Sequence, residues 1–448
     1  MASADTKVAL DNAPDVLESN TILVVDQTTR GEGYVVLRLD EDESDPETPY
    51  RITRHEINSL TPALEPYVIR KCPEHLSPSM AAVHVIVSGR SGTGLAPKAW
   101  ELVVEPLLEL IQTLEGGNKS TPQTSYKVLF TENTRSISDF ARSNLGIHAP
   151  KDCRPPMVIL LSGDGGVVEL LNGCPESAPS SSHPVISSLP FGTGNALFHS
   201  IHKPLYHSLS PTPLVLGLRT LWKGTPHPLP TFKASFSPGA KIVRPADQSG
   251  GIPLSNDNDG VDHLLGAVVA SYGLHSNIVW ESDTPEYRKH GAQRFSMVAT
   301  NLLQENHAYS ATVSIRTSSD AGVDTFHPLQ GAPKQFSYVL AAQVSNLEKA
   351  FEISPETTPL DQALRLVYFG PVGAPRTMEI MGAVYAGGKH LKMEEVGYVE
   401  ILGLEVKTTE QDSRWRKVCI DGTIVELEEG GWMRVERLKE PYLKILSS

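Results

Sequence analysis

The chain has 448 residues, enough for two or three domains. Its 39 lysines and arginines stand against 52 aspartates and glutamates, a formal charge of −13, with 40% hydrophobic and 20% charged residues. That balance excludes wholesale disorder and argues against a nucleic-acid partner, because neutralising phosphates takes clustered basic residues.

Met1 to Asn20 is polar and acidic, with no apolar signal core behind basic residues. Thr21–Val25 and Tyr34–Leu39 are β-rich runs, split by a Gly31/Gly33 turn and followed by an acidic stretch from Asp40 to Glu47. Residues 1–78 therefore predict a small strand-rich appendage of unassigned role, with the acidic stretch as a solvated loop. From Val83 the texture changes. Strands are expected at 83–87, 127–131, 157–161 and 184–189, each followed by a loop and a helix: 97–114, 136–143, 167–171 and 196–201. Strand, loop and helix in fourfold alternation predict an α/β unit with a mainly parallel sheet over residues 79–205.

Beyond residue 206 strands dominate, at 232–236, 264–271, 336–342, 364–369, 399–404 and 417–421, with a helix at 378–385. Residues 206–448 read as a β-rich second unit, and the Gly-, Pro-, Ser- and Asp-rich stretch 237–262 as a loop insertion. Pro213–Trp222 is an apolar helix, open to two readings: a lid over a cleft, or a core helix packed under the second unit. Leu264–Leu274, among the longest apolar runs, falls short of a membrane span, which predicts a cytoplasmic protein at most peripheral to intracellular membranes. Cys72, Cys153, Cys174 and Cys419 are scattered with no C-x-x-C pair, so reduced thiols are expected rather than a zinc site or a disulfide framework.

Three glycine-rich turns carry the chemistry: Ser88–Gly94, with Ser91, Gly92 and Gly94; Ser162–Gly166; and Gly192–Asn195. Each follows a strand of the α/β unit, and open parallel sheets bind ligands beyond the carboxyl ends of their strands. Glycines there let backbone N–H groups approach an anion, aided by the dipole of the following helix. One such turn alone is ordinary punctuation; three on one edge predict a nucleotide polyphosphate. None fits the P-loop or the dinucleotide fingerprint. Asp164 is the distinctive residue, because a carboxylate opposes phosphate binding. It could accept a proton from an attacking hydroxyl or help hold Mg2+, or it could cap the helix that follows.

Leu161-Ser-Gly-Asp-Gly-Gly-Val-Val-Glu-Leu-Leu-Asn-Gly173 resembles the G-G-D-G or S-G-D-G signature of the diacylglycerol kinase and sphingosine kinase catalytic family. Leu189-Pro-Phe-Gly-Thr-Gly-Asn-Ala-Leu197 resembles the family's P-x-G-[ST]-G-N-A motif, and Thr131-Glu132 its intervening T-E segment. Glu281-Ser-Asp283 with Tyr287 to Phe295 resembles the sphingosine kinase E-S-E-x-Y-R-x-x-G-x-x-R-F stretch, and Ile420-Asp-Gly-Thr423 resembles V-D-G-E. The likeness spans roughly residues 82–440 and sits closer to sphingosine kinases, because Ser162 replaces the first glycine.

The resemblance implies an α/β nucleotide-binding unit, a β-rich, β-sandwich-like lipid-binding unit and an active site in the cleft between them. It implies a lipid kinase using ATP and Mg2+ on a lipid at a membrane surface. Asp164 would be the general base. Ser91, Gly92, Gly94, Thr131, Ser162, Gly163, Gly165, Gly192, Thr193, Gly194, Asn195, Asp421 and Gly422 would line the nucleotide, with Arg288 and Arg294 on its phosphates. Ser276, Asn277 and Val279 fall where the family's A-D-V-D stretch grips the lipid head group. Neither aspartate is present there, which leaves room for a neutral head group. Ser88-Gly89-Arg90 likewise departs from the family's first loop, and Thr423 replaces its glutamate. A sphingoid-base-like lipid is the expected acceptor; diacylglycerol, or binding without turnover in a weakened sensor, are the alternatives. Arg414-Trp-Arg-Lys417 reads either as a patch for anionic head groups or as ordinary residues leading into a strand.

Overall fold

A computed structural model of the chain describes residues 19–27, 33–42, 44–77, 82–112, 126–145, 155–174, 183–206, 211–244, 260–317 and 325–448. Gly31, Cys153, the end of the first long helix at Leu114, position 43 of the acidic stretch and most of the loop 237–262 lie outside the described residues.

The N-terminal strands are β1 (Thr21–Asp26), β2 (Tyr34–Glu41), β3 (Tyr50–Ile57) and the short β4 (Val68–Ile69), ordered β3-β2-β1-β4. Next come β5 (Val83–Val87), β6 (Tyr126–Phe130), β7 (Met157–Ser162) and β8 (Val185–Pro190). These pair in parallel in the order β6-β5-β7-β8. Continuous apolar runs such as Met157-Val-Ile-Leu-Leu suit strands buried on both faces, and β7 is buried throughout. Two strands from beyond residue 206 complete this sheet. Lys444–Ser447 pairs in parallel with β8, and Thr225–Pro228 runs antiparallel beside it.

The helices around the sheet are α1 (Ala96–Ala99), then five residues of wider turn, Trp100–Val104, α2 (Glu105–Gln112), α3 (Ser136–Asn144), α4 (Asp164–Gly173), α5 (Ala196–His202) and α6 (Pro213–Lys223). The expected helix from 97 thus carries an inserted π-turn, and α4 starts three residues earlier than its apolar pattern suggested. Asp164 is therefore the first residue of a helix.

The N-terminal strands share a core with this layer instead of hanging off it. Ile22, Leu23 and Leu37 pack in one cluster with Trp100, Val103 and Leu107 and with Leu214, Val215 and Leu218 of α6. Arg219 of α6 donates from Nε to the Thr21 carbonyl at 2.8 Å and lays its guanidinium over Tyr67. The helix is a core element, so the lid reading of Pro213–Trp222 falls. It lies under the N-terminal and parallel sheets, not under the β-rich half.

That half consists of two seven-stranded antiparallel sheets. The Tyr272 hydroxyl crosses from one to Thr408 Oγ1 of the other at 3.2 Å. The apolar run expected as one strand at 264–271 is two, His263–Gly266 and Val269–Gly273, which belong to different sheets. The chain changes sheets at Ala267–Val268. The helices α7 (Leu274–Ser282), α8 (Pro285–Arg288), α9 (Gln293–Glu305) and α10 (Ala374–Tyr385) decorate this half. α7 escaped the sequence reading because its buried residues do not form a single stripe: Leu274, Ser276, Asn277 and Ser282 are all inside.

Because one core serves both layers, Leu218→Ala should lower unfolding free energy by about 2–5 kcal/mol. It should also loosen β1, read as faster amide hydrogen exchange at Ile22–Val25. Full protection of β1 in this variant would show that the N-terminal sheet stands independently.

Candidate active site

The loops following β5, β6, β7 and β8 emerge at the carboxyl edge of the parallel sheet, and three glycine turns interlock there. A Cβ on Gly163 would lie 2.7 Å from Gly192 Cα, and one on Gly92 would lie 2.5 Å from the Phe191 carbonyl oxygen. Gly92 also holds φ +53°. Side chains at these positions would push the turns apart, so glycine here is a packing requirement. The approach leaves open ground beside it: a Cβ on Gly165 or on Gly422 would meet nothing within 4 Å.

Asp164 stands at the centre of this edge, half-buried at the start of α4. Its Oδ2 accepts the Ala196 N–H at 2.7 Å and its Oδ1 the Leu197 N–H at 3.0 Å. The carboxylate caps a helix, but that helix is α5, the one after β8, and not its own. Burial pushes the Asp164 carboxyl up from its ordinary value, against the downward pull of these N–H donors.

Asp421 lies within electrostatic reach of Asp164. Its carboxylate accepts the N–H groups of Ala267, Val268 and Val269, the corner where the chain changes sheets. Burial pushes it up to about 7, and repulsion from Asp164 adds to the rise. The two motif aspartates, 257 residues apart in sequence, are thus brought within electrostatic reach of each other. A third carboxyl, Glu169 of α4, is pushed up to about 7 by burial.

The remaining expected residues divide. Ser91 donates its hydroxyl to Ser88 Oγ at 2.7 Å, and the Thr131 N–H bonds the Val87 carbonyl, which places both at the same edge. Ser162 is turned inward, its hydroxyl donating to the Gly163 carbonyl at 3.1 Å beside Gly166. Asn195, in the left-handed region at φ +53°, accepts from the Gly192 N–H and donates to its carbonyl, so its side chain shapes the turn. Gly194 lies against the Leu347 carbonyl, and Thr193 is half-buried beside it.

Arg288 and Arg294 converge on Asp283: Arg288 pairs with it in bidentate fashion, at 2.9 and 2.8 Å, and Arg294 stands at 3.9 Å. In α7, Ser276 donates to the carbonyls of Gly273 and Lys417, and Asn277 donates to Gly273, leaving Asn277 Oδ1 buried without a partner. Val279 is half-buried on the same helix. The Arg414–Lys417 cluster is consumed internally. Arg414 binds Glu281 and Glu305, Arg416 binds the Leu427 and Gln411 carbonyls, and Lys417 pairs with Glu426. It reads as structural, and its head-group role falls.

A carboxylate held at the meeting point of glycine turns on a parallel sheet invites comparison with known proteins. Residues 82–220 match the diacylglycerol kinase catalytic domain. That stretch holds all three turns and Asp164. Over 133 residues the chain is 29% identical to sphingosine kinase 1 of Rattus norvegicus, a match covering 29% of this chain and 30% of that protein. The chain thus spans about a third of the length of the curated relative it matches. The crystal structure of a proposed diacylglycerol kinase from Bacillus anthracis str. Sterne superposes with a TM-score of 0.51 at 14% identity, covering 82% of this chain and 95% of that one. At that identity the likeness concerns the fold, which extends past the catalytic-domain match into the β-rich half.

Sequence reasoning missed Glu169, whose only signal was its place one turn and a half past Asp164 on an amphipathic helix. The pairing of Asp164 with Asp421 has a direct readout. Folding raises the Asp421 carboxyl, so its contribution to stability is full below the ordinary carboxylate range and fades as pH rises through 7. In carboxyl 13C NMR, Asp421 should titrate near pH 7 and move lower in Asp164→Asn, where the repulsion is gone. An unchanged titration would contradict their proximity.

Proposed function

We propose that the chain is an ATP-dependent lipid kinase that phosphorylates a primary hydroxyl, with a sphingoid-base-like lipid as acceptor. Asp164 carries the reading: a carboxyl made more basic by burial, set where three glycine turns expose backbone to an anion. ATP would lie along the carboxyl edge of the parallel sheet, its phosphates against the turns of Gly92, Gly163 and Gly192. The backbone approach that these glycines permit suits an anion, which a side chain would fend off.

In the reaction the lipid hydroxyl oxygen attacks the γ-phosphorus, its proton passes to Asp164, and the bond to the β,γ-bridging oxygen breaks to release ADP. A raised pKa favours that proton transfer, because a more basic carboxylate is the stronger acceptor. The N–H groups of Ala196 and Leu197 hold both Asp164 oxygens in place, which fixes the base without a side-chain partner. Asp421, an oxygen-donor group within electrostatic reach of Asp164, would offer a hard divalent cation one carboxylate and leave Asp164 free as the base. Among the described residues no three His, Cys, Asp or Glu side chains gather as a metal site, so the nucleotide phosphates would supply most of its shell. Mg2+, when bound, supplies charge neutralisation at the phosphate oxygens.

The acceptor class rests on the likeness to sphingosine kinase 1 and on α7. The polar side chains at 276 and 277 are neutral and wholly buried, so no carboxylate stands at either position. Within the sphingoid class that favours an N-acylated head group over a bare ammonium, which would need a carboxylate partner. No helix among the described residues is long and apolar enough to cross a membrane, so the lipid would be met at a membrane surface by peripheral contact.

Labelled ATP offered with a sphingoid base, an N-acylated sphingoid base and diacylglycerol in mixed micelles tests this. Transfer to a sphingoid lipid should fall by about 10²–10⁴ in Asp164→Asn while ATP binding survives. Transfer unaffected by the substitution would remove Asp164 from the chemistry, and transfer to diacylglycerol alone would reassign the acceptor. Nucleotide binding without transfer to any lipid would leave a sensor. Gly165→Ala separates binding from folding. It should leave thermal stability equal or raised, by up to about 1 kcal/mol for alanine over glycine in a helix. It should weaken ATP binding by placing a methyl group in the open space of the site.

A further inference from the structure

Arg244 follows the strand Lys241–Val243, which pairs with Thr423–Glu426 in the β-rich half. Its side chain crosses to the other half, where Nη1 donates to Thr134 Oγ1 at 2.9 Å. Thr134 sits in the turn between β6 and α3, three residues past Thr131 and at the same carboxyl edge as the glycine turns. That turn is rigid: Ser136 Oγ accepts the N–H groups of Glu132 and Asn133, and Asn133 Oδ1 accepts that of Arg135. The guanidinium also acts on the carboxyl of Glu169, five residues after Asp164. Glu169 accepts the Ile137 N–H, while its Oε2 is buried with no hydrogen-bond partner.

We infer that Arg244 is a phosphate-binding residue of the nucleotide site, supplied across the cleft by the β-rich half. The inference rests on the ATP reading above and adds a residue to it. A polyphosphate at this edge needs cations, and the two arginines expected to provide them are engaged with Asp283. Arg244 differs in kind. Its hydrogen-bond partner is an uncharged hydroxyl, and among the described residues no carboxylate forms an ion pair with it. Burial holds Glu169 near half-protonation at neutral pH, so it balances the guanidinium only in part. An exposed guanidinium whose charge is balanced only in part, and most of whose N–H donors have no partner among the described residues, matches phosphate oxygens in geometry and sign.

Calorimetric titration of the full chain with ATP, ADP and AMP tests the inference. Arg244→Gln should weaken ATP by about tenfold, the effect of losing one charge-assisted hydrogen bond, and leave AMP unchanged. Arg244→Lys should recover part of the loss, because it keeps the charge without the fork. All three proteins should melt at the same temperature. Equal ATP affinity in Arg244→Gln, or a parallel loss for ATP and AMP, would overturn the inference. If the unaltered chain bound no nucleotide, this inference and the kinase reading would both fail. Nucleotide binding that depends on Arg244, without phosphate transfer to any lipid, would overturn the kinase reading alone.

Discussion

Backbone N–H groups left over at two corners of the fold are satisfied by carboxylates, and the site is built on that constraint. The first corner is the start of α5, whose opening N–H groups have no partner within the helix and receive Asp164. The second is the crossing between sheets at Ala267–Val269, whose three N–H groups receive Asp421. Buried N–H groups demand acceptors, and a carboxylate offers the strongest. Each aspartate is therefore held for a structural reason. The two carboxyls lie within electrostatic reach of each other, and repulsion from Asp164 adds to the rise that burial gives the Asp421 carboxyl. The raised pKa on which the proposed base role of Asp164 rests comes from burial, against the downward pull of the N–H groups it caps.

The glycine turns answer the same packing problem from the other side. The N–H partner of Asp164 lies one residue past Asn195, and the turn leading to it can reach only if Gly192 and Gly163 nearly touch. Asn195 locks the turn with a pair of hydrogen bonds to Gly192. Glycine thus does two jobs here. It lets the loops close on each other, and it leaves open ground at Gly165 and Gly422.

Much of this was legible in the order of residues. The alternation of apolar runs and glycine turns from Val83 to Ile201 has one economical solution, a parallel sheet with its loops on one edge. Asp164 stood out because a carboxylate among glycines is chemically odd, whereas Asp421 was marked only by the resemblance of Ile420–Thr423 to the family's V-D-G-E. Other features were hidden by their context. The 264–271 run looks like one strand, since apolar character does not say which of two sheets a residue joins. α7 has no apolar stripe, because it is covered on several sides. The first strands looked like an appendage because the residues that cover them, Trp100 and Leu218, are about 80 and 200 positions away.

By itself the sequence determined the local elements and the chemical cast: the strands of the α/β unit, the three glycine turns and the aspartate among them. Those follow from periodicity, turn chemistry and residue type, all of which act over a few positions. Only the tertiary structure decided that Asp164 caps the helix after β8, that Asp421 comes within electrostatic reach of it, and that Arg244 reaches across to Thr134. It also decided that Arg288 is tied to Asp283 and that the last strand joins the first large sheet. Each of these depends on which distant backbone groups are left needing a partner, and that is set by how the layers close on one another.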